Sequence, residues 1–279
     1  MKTLCNVRFL FLVLLTQFLM HGCVLFSISK KEQGFSLGQK QVKLPDSPKE
    51  LLKLAGKKAD TGLNSDARIV LKAVHKARKY GASGPKSDIL ELKALSWLAL
   101  YGRNNEKHDA ARRAYKIAEL FMRKNPKKVQ GYYYTAINLG LLVQSDPSEG
   151  ISRLPDIIFA LKKAVELDET FFHAAPRRAL GAVFLKAPSY PSGPGDLDAA
   201  LENLEKAVAL APRWPENWLY LAEAKLEDDS LKDAVHCAKQ VLFFARDMIG
   251  EAASVWRSKA RSLLRRIREK LHRSREFGL

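Results

Sequence analysis

Six histidines, three cysteines and 30 acidic residues could do chemistry in this 279-residue chain, and their spacing assembles no familiar catalytic set. The region beyond residue 46 has no His-Glu-x-x-His, no paired cysteines and no Gly-rich phosphate loop. Gly193-Pro194-Gly195-Asp196 has the glycines of a phosphate-binding turn but lacks the following Lys-Ser or Lys-Thr. Asp196 is better suited to cap a helix starting at Leu197, where its carboxylate would accept hydrogen bonds from the first free amides. The residues therefore predict no enzyme, no cofactor and no metal site. Cys237, flanked by Ala234, Ala238 and Val241, reads as a buried thiol without a disulfide partner.

Binding is the chemistry that remains. Tyr132-Tyr133-Tyr134 opens a predicted helix, and consecutive helical residues face different directions. Either one ring looks into a groove while another packs inside, or all three fill gaps between helices. A tyrosine suits such a groove because its ring gives apolar contact and its hydroxyl a polar handle. A second candidate is the segment from Lys186 to Asp196, in which three prolines and two glycines would hold Tyr190 at modest entropic cost. Tyr133, Asn138, Lys186 and Tyr190 are the candidate contact residues, with Arg177 for an anionic group. Arg177 stands where its repeat asks for an aromatic, so either the packing there is remodelled or the side chain is free to bind.

The elements that must position these residues read as all-α. Apolar residues recur at three-four spacing from Asp46 onward, with Pro and Gly in the gaps. The spacing also fits the tetratricopeptide pattern of about 34 residues, in which small residues let the two helices of a hairpin cross closely. Ala200, Leu204, Ala207 and Pro212 end one unit, and Trp218, Leu221 and Ala222 open the next, with Ala234 in its second helix. Leu98-Ala99 pairs with Ala111, Tyr115 and Ala118, and Leu54-Ala55 with Ala67, Leu71 and Val74. Lys163-Ala164-Val165-Glu166-Leu167 returns as Lys206-Ala207-Val208-Ala209-Leu210 after 43 residues. The surplus over a standard repeat is expected as loops at 144–154 and 187–196.

Five hairpins are predicted near 48–80, 89–124, 129–167, 171–210 and 215–246, followed by a helix from about Glu251 to Arg273. That helix would cap the stack with Val255, Leu263, Leu264, Ile267 and Leu271. The expected fold is thus a tetratricopeptide-like solenoid of about five hairpins with a C-terminal capping helix. The expected domains are a repeat domain at 47–247 and a basic amphipathic cap at 248–279.

The first 46 residues read differently. Lys2 and Arg8 precede an apolar run from Phe9 to Met20, and His21-Gly22-Cys23 follows, the order of a secretory signal peptide over 1–22. Gly22-Cys23 resembles the end of the bacterial lipobox, which implies lipidation at Cys23. Met20 and His21 depart from that pattern, so a plain cleaved signal and an uncleaved anchor stay open. Residues 23–46, rich in Ser, Gly and Gln, read as a flexible tether. Val24 after the cysteine implies, by resemblance to lipoprotein sorting signals, the outer membrane of the bacterial envelope, with the domain facing the periplasm.

The net charge of +17 is uneven: ten Lys and Arg against four acids lie between Arg246 and the C-terminus. Arg257, Arg261, Arg265, Arg268 and Arg275 would form a positive stripe that is either the solvated face of a terminal helix or a surface able to meet lipid headgroups, an acidic partner or nucleic acid. No aromatics interleave with these charges as nucleic-acid recognition would require, so nucleic acid is not an expected partner.

The lipobox-like start, the divergent hairpins, Asn138-Leu139-Gly140, and Leu180-Gly181 followed by Ala187-Pro188-x-Tyr190-Pro191-x-Gly193-x-Gly195-Asp196 resemble the T component family of tripartite ATP-independent periplasmic (TRAP) transporters. The resemblance covers residues 90–245. It implies a periplasm-facing lipoprotein that associates with the solute-binding P component, forms homo-oligomers around it, and helps deliver a small organic ligand to a permease. The alternative is a structural adaptor that assembles envelope proteins through its groove. An apolar channel beside Tyr133 and Tyr190 would favour transport, and a wide polar groove the adaptor.

Overall fold

The computed structural model describes residues 43–276 apart from Asp146. The expected signal peptide, most of the expected tether and Cys23 lie outside the described residues. From Leu44 onward the chain forms one compact unit, all-helical among the described residues. No helix there is long and apolar enough to cross a membrane.

Among the described residues eleven helices follow one another: α1 (Pro48–Lys58), α2 (Asn64–Lys79), α3 (Pro85–Tyr101), α4 (Asn104–Lys124), α5 (Val129–Ser145), α6 (Pro147–Asp168), α7 (Phe171–Lys186), α8 (Leu197–Leu210), α9 (Pro215–Glu227), α10 (Leu231–Ala245) and α11 (Glu251–Glu276). Consecutive helices pair as hairpins, and the first helices α1, α3, α5, α7 and α9 also touch in succession, with α11 packed on both α9 and α10. This is a tetratricopeptide-like hairpin solenoid of five hairpins closed by a terminal helix. The small residues of the repeat pattern lie where the helices cross: Ala55, Ala67, Ala99, Ala111, Ala118, Ala164, Ala207, Ala222 and Ala234 are all buried. At Gly181 a Cβ would come within 2.7 Å of Leu204 Cγ and 3.0 Å of the Ala200 carbonyl. Only glycine lets α7 and α8 approach that closely.

The two expected insertions differ in outcome. Residues 187–196 do form a loop, in which Gly195 N–H donates to the Pro188 carbonyl at 2.7 Å. Asp196 caps α8 as the sequence predicted, its Oδ1 accepting from Ala199 N–H at 2.9 Å. The stretch 144–154, expected as a loop, is mostly helix: only Asp146 separates α5 from α6, and the surplus residues lengthen α6 at its start. Pro147 is tolerated because the first turn leaves its amide position unpaired anyway. Pro155 sits inside α6, where it removes one backbone donor.

The start of α7 also departs from a simple helix. Phe172, His173 and Ala174 have φ of 45°, 61° and 60°, a left-handed run that costs about 1–2 kcal/mol per non-glycine residue. Regular right-handed helix begins only after them. Two donors anchor this turn at the His173 carbonyl, Arg178 Nη1 and Asn217 Nδ2, each at 3.2 Å.

An aromatic cavity where the solenoid meets itself

The two ends of the repeat array touch. The α10–α11 turn reaches the α1–α2 turn, where a Cβ on Gly250 would lie 2.3 Å from the Gly62 carbonyl. Gly250 has φ of +103°, a conformation that L side chains rarely adopt. Glu251 Oε2 accepts from the Asn64 amide at the start of α2, at 3.1 Å. Tyr101 on α3 donates its hydroxyl to Glu216 Oε1 on α9 at 2.9 Å, bridging 115 residues of sequence.

This contact frames a half-open cavity of about 380 Å³. The α1–α2 turn (Asp60, Thr61, Gly62), Lys93 and Trp97 of α3, Phe171 with Phe172 and His173 of the left-handed turn, Trp214, and Met248, Ile249 and Trp256 at the C-terminal end all line it. The aromatic rings form a continuous chain. Trp97 meets Tyr101 at 4.6 Å, Tyr101 meets Trp256 at 6.4 Å, and Trp256 meets Trp214 at 5.2 Å. His173 stacks on Trp214 at 4.0 Å with 13° between the planes. The left-handed backbone thus has a structural result: it turns Phe172 and His173 onto Trp214, at 5.9 Å and 4.0 Å. The indole Nε1 atoms of Trp97, Trp214 and Trp256 are buried and find no hydrogen-bond partner among the described residues. Leaving such a donor unmade costs about 1–3 kcal/mol. At the rim Lys93 Nζ holds both carboxylate oxygens of Asp60, at 2.8 and 3.1 Å.

Behind the cavity lies a buried charge cluster. Arg178, with only 6% of its side chain exposed, pairs with Glu216 at 3.1 Å and donates to Asn217 Oδ1 at 2.7 Å. Burial opposes its charge, but Glu216 and the neighbouring Tyr133, Tyr101 and Tyr220 outweigh that and hold its pKa above the usual arginine value. Burial pushes the Tyr133 phenol up to about 12, and burial with Glu216 beside them raises Tyr101 and Tyr220 as well. Burial, then Arg178, lowers the pKa of His173, so the ring on Trp214 is neutral at pH 7.

The five residues expected to bind are not brought together. Tyr133 is buried against Phe171, ring centroids 5.4 Å apart, and so backs the cavity lining without entering it. Asn138 is fully buried and ties helices together, donating to Ser96 Oγ at 2.7 Å and to the Tyr134 carbonyl at 2.8 Å. Arg177 is held by Glu169 at 2.7 Å and Asn203 at 3.2 Å. Lys186 pairs with Glu223 at 2.6 Å. Tyr190, 91% exposed, stands in the loop beyond the far end of α7 from the cavity. Sequence reasoning missed Trp97, Trp214 and Trp256. The available signal was that three of the four tryptophans lie outside the consensus position that Trp218 occupies.

No protein-family model matches the chain, and no curated protein does. Among solved structures it is similar to the crystal structure of a thermophilic tetratricopeptide-repeat protein of Thermus thermophilus. The two are 21% identical, with 78% of this chain and 99% of that one covered and a TM-score of 0.58. At that identity the likeness shows the fold alone.

Proposed function

We propose that this protein is a helical-repeat binding protein of the bacterial envelope that holds a small organic ligand in its aromatic cavity and engages a partner protein, as an accessory to solute uptake. One observation carries the reading: where the two ends of the array meet, aromatic rings line a half-open, mainly apolar cavity of about 380 Å³. Ligand sites are commonly apolar concavities of about 300–1,000 Å³ with a few placed polar groups. The rings would hold an apolar or aromatic occupant by contact and burial, with the Lys93–Asp60 pair as the polar group at the rim.

The proposed setting rests on the N-terminal sequence: export, lipidation at Cys23 and a position facing the periplasm. In this reading the partner is the solute-binding P component of a TRAP-type system, and the exposed Tyr190 on its proline-rich loop is the contact offered to it. The rival reading, an adaptor that assembles envelope proteins and carries no ligand, is favoured by that same Tyr190, which stands far from the cavity.

Tryptophan fluorescence separates the two. Protein purified from its own host is compared with the same protein unfolded, dialysed and refolded, since three of its four tryptophans line the cavity. Transport accessory function predicts that stripping the ligand shifts the emission, and that Trp214→Ala abolishes the difference. Identical spectra before and after stripping would favour the adaptor.

A further inference from the structure

The most strongly charged surface takes no part in the cavity. In α11, Ala252, Trp256, Ala260, Leu263 and Ile267 are buried, while Arg261, Arg265 and Arg268 are exposed on the opposite face. Three of the other cations of this helix are engaged. Arg257 donates to the Ala245 and Met248 carbonyls at 2.6 and 2.9 Å, closing the end of α10. Arg266 lies 3.8 Å from Glu227, and Lys270 2.7 Å from Asp229. Arg261, Arg265 and Arg268 make no ion pair among the described residues.

We infer that this arginine face of α11 binds an anionic phospholipid surface. The three guanidinium groups recur at spacings of four and three, so they form a straight row of about 10 Å along a rigid helix. The row holds no apolar or aromatic anchor, since Ser258 precedes it and His272 follows it on the same face. A specific protein interface concentrates its energy in such anchors, with Trp, Tyr and Arg packed in desolvated pockets. A fluid sheet of phosphates needs none: it requires only cations that stay charged and can grip phosphate oxygens in pairs, which arginine does. The packing of the opposite face on α9 and α10 leaves the row pointing away from the stack. A basic patch alone gives reversible attachment, and it complements the single anchor proposed at Cys23.

The test uses the chain from Leu44 to Leu279, which contains the whole core described above, and sedimentation with large vesicles. Vesicles containing phosphatidylglycerol should bind it, and pure phosphatidylcholine vesicles should not. Each basic residue near an anionic surface contributes about fivefold to partitioning, so the triple variant R261A/R265A/R268A should bind about a hundredfold more weakly. Binding should also be lost in about 1 M salt, where the Debye length falls to about 3 Å. The control variant K49A/K53A/K57A removes the same charge from exposed positions of α1 and should bind nearly as the parent does. Circular dichroism verifies that both variants fold. Equal losses in the two variants would overturn the inference, because binding would then follow net charge and not this face. Failure to prefer phosphatidylglycerol would also overturn it, as would binding to soluble polyglutamate that the triple variant loses while vesicle binding stays intact.

Discussion

Replacing Glu216 by Gln tests the buried cluster that joins the two ends of the solenoid. The substitution keeps the side-chain shape but removes the negative charge 3.1 Å from Arg178 and weakens the acceptor of the Tyr101 hydroxyl at 2.9 Å. Arg178 cannot swing into water, since 6% of its side chain is exposed, so its charge is left uncompensated. Removing one partner of a buried pair costs about 3–5 kcal/mol. For a domain of this size each kcal/mol lowers Tm by about 2–4 °C, so a fall of about 10 °C or more is expected by circular dichroism. The double variant R178M/E216L removes both charges and should recover part of the loss, because apolar residues can replace a buried pair at little cost, although the hydrogen bonds of Arg178 to the His173 carbonyl and Asn217 are not restored. A single variant within about 1 kcal/mol of the parent would refute the reasoning. So would a double variant no more stable than the single.

Four further outcomes are expected. The buried Tyr101, Tyr133 and Tyr220 phenols are raised above their unfolded value near 10, so their stabilisation is intact below that pH and is lost as pH climbs through their folded values, about 12 for Tyr133. Ultraviolet titration should show native protein ionising only part of its eight tyrosines until alkaline unfolding releases the rest. His173, with its pKa lowered, contributes stability that is present above about pH 6.5 and declines as pH falls through its folded value; an NMR titration placing it at or above 6.5 would contradict the burial of its ring on Trp214. The Cys237 thiol, pushed up to about 11 by burial, should ignore Ellman's reagent at pH 8 in the native protein and react at once in denaturant. Gly250→Ala places a Cβ 2.3 Å from the Gly62 carbonyl in a conformation hostile to alanine, so it should destabilise by about 1–3 kcal/mol and shift Trp256 emission to the red, whereas unchanged emission and stability would mean that the two turns do not meet.

The repeat architecture was legible because its code is local. Small residues such as Ala55, Ala111 and Ala207 must sit where helices cross, and their spacing exposes the hairpins without any knowledge of the third dimension. Asp196 was legible for the same reason, a cap being decided within four residues. The helical start of α6 was hidden because Pro147 and Gly150 resemble loop residues, although proline at the first position of a helix loses no hydrogen bond. The cavity was illegible for a different reason. Tyr101 meets Glu216, and Gly250 meets Gly62, only after the small rotation of each hairpin has accumulated around the whole array. The sequence pattern does not encode that sum. The binding residues named from sequence were chosen from a tyrosine run, a proline-rich segment, a motif and, for Arg177, a position within a repeat, and Asn138, Arg177 and Lys186 turned out to have close intramolecular partners. The left-handed turn at Phe172-His173-Ala174 has no glycine to announce it. It is held from outside by Arg178 and Asn217.

Native mass spectrometry of the chain purified from its own host, compared with Trp214→Ala, tests the ligand-holding cavity most directly. The account predicts an added mass of a small organic molecule on the parent, released on activation in the gas phase and missing from the variant. A parent at its bare polypeptide mass, or an adduct that Trp214→Ala retains in full, would contradict it.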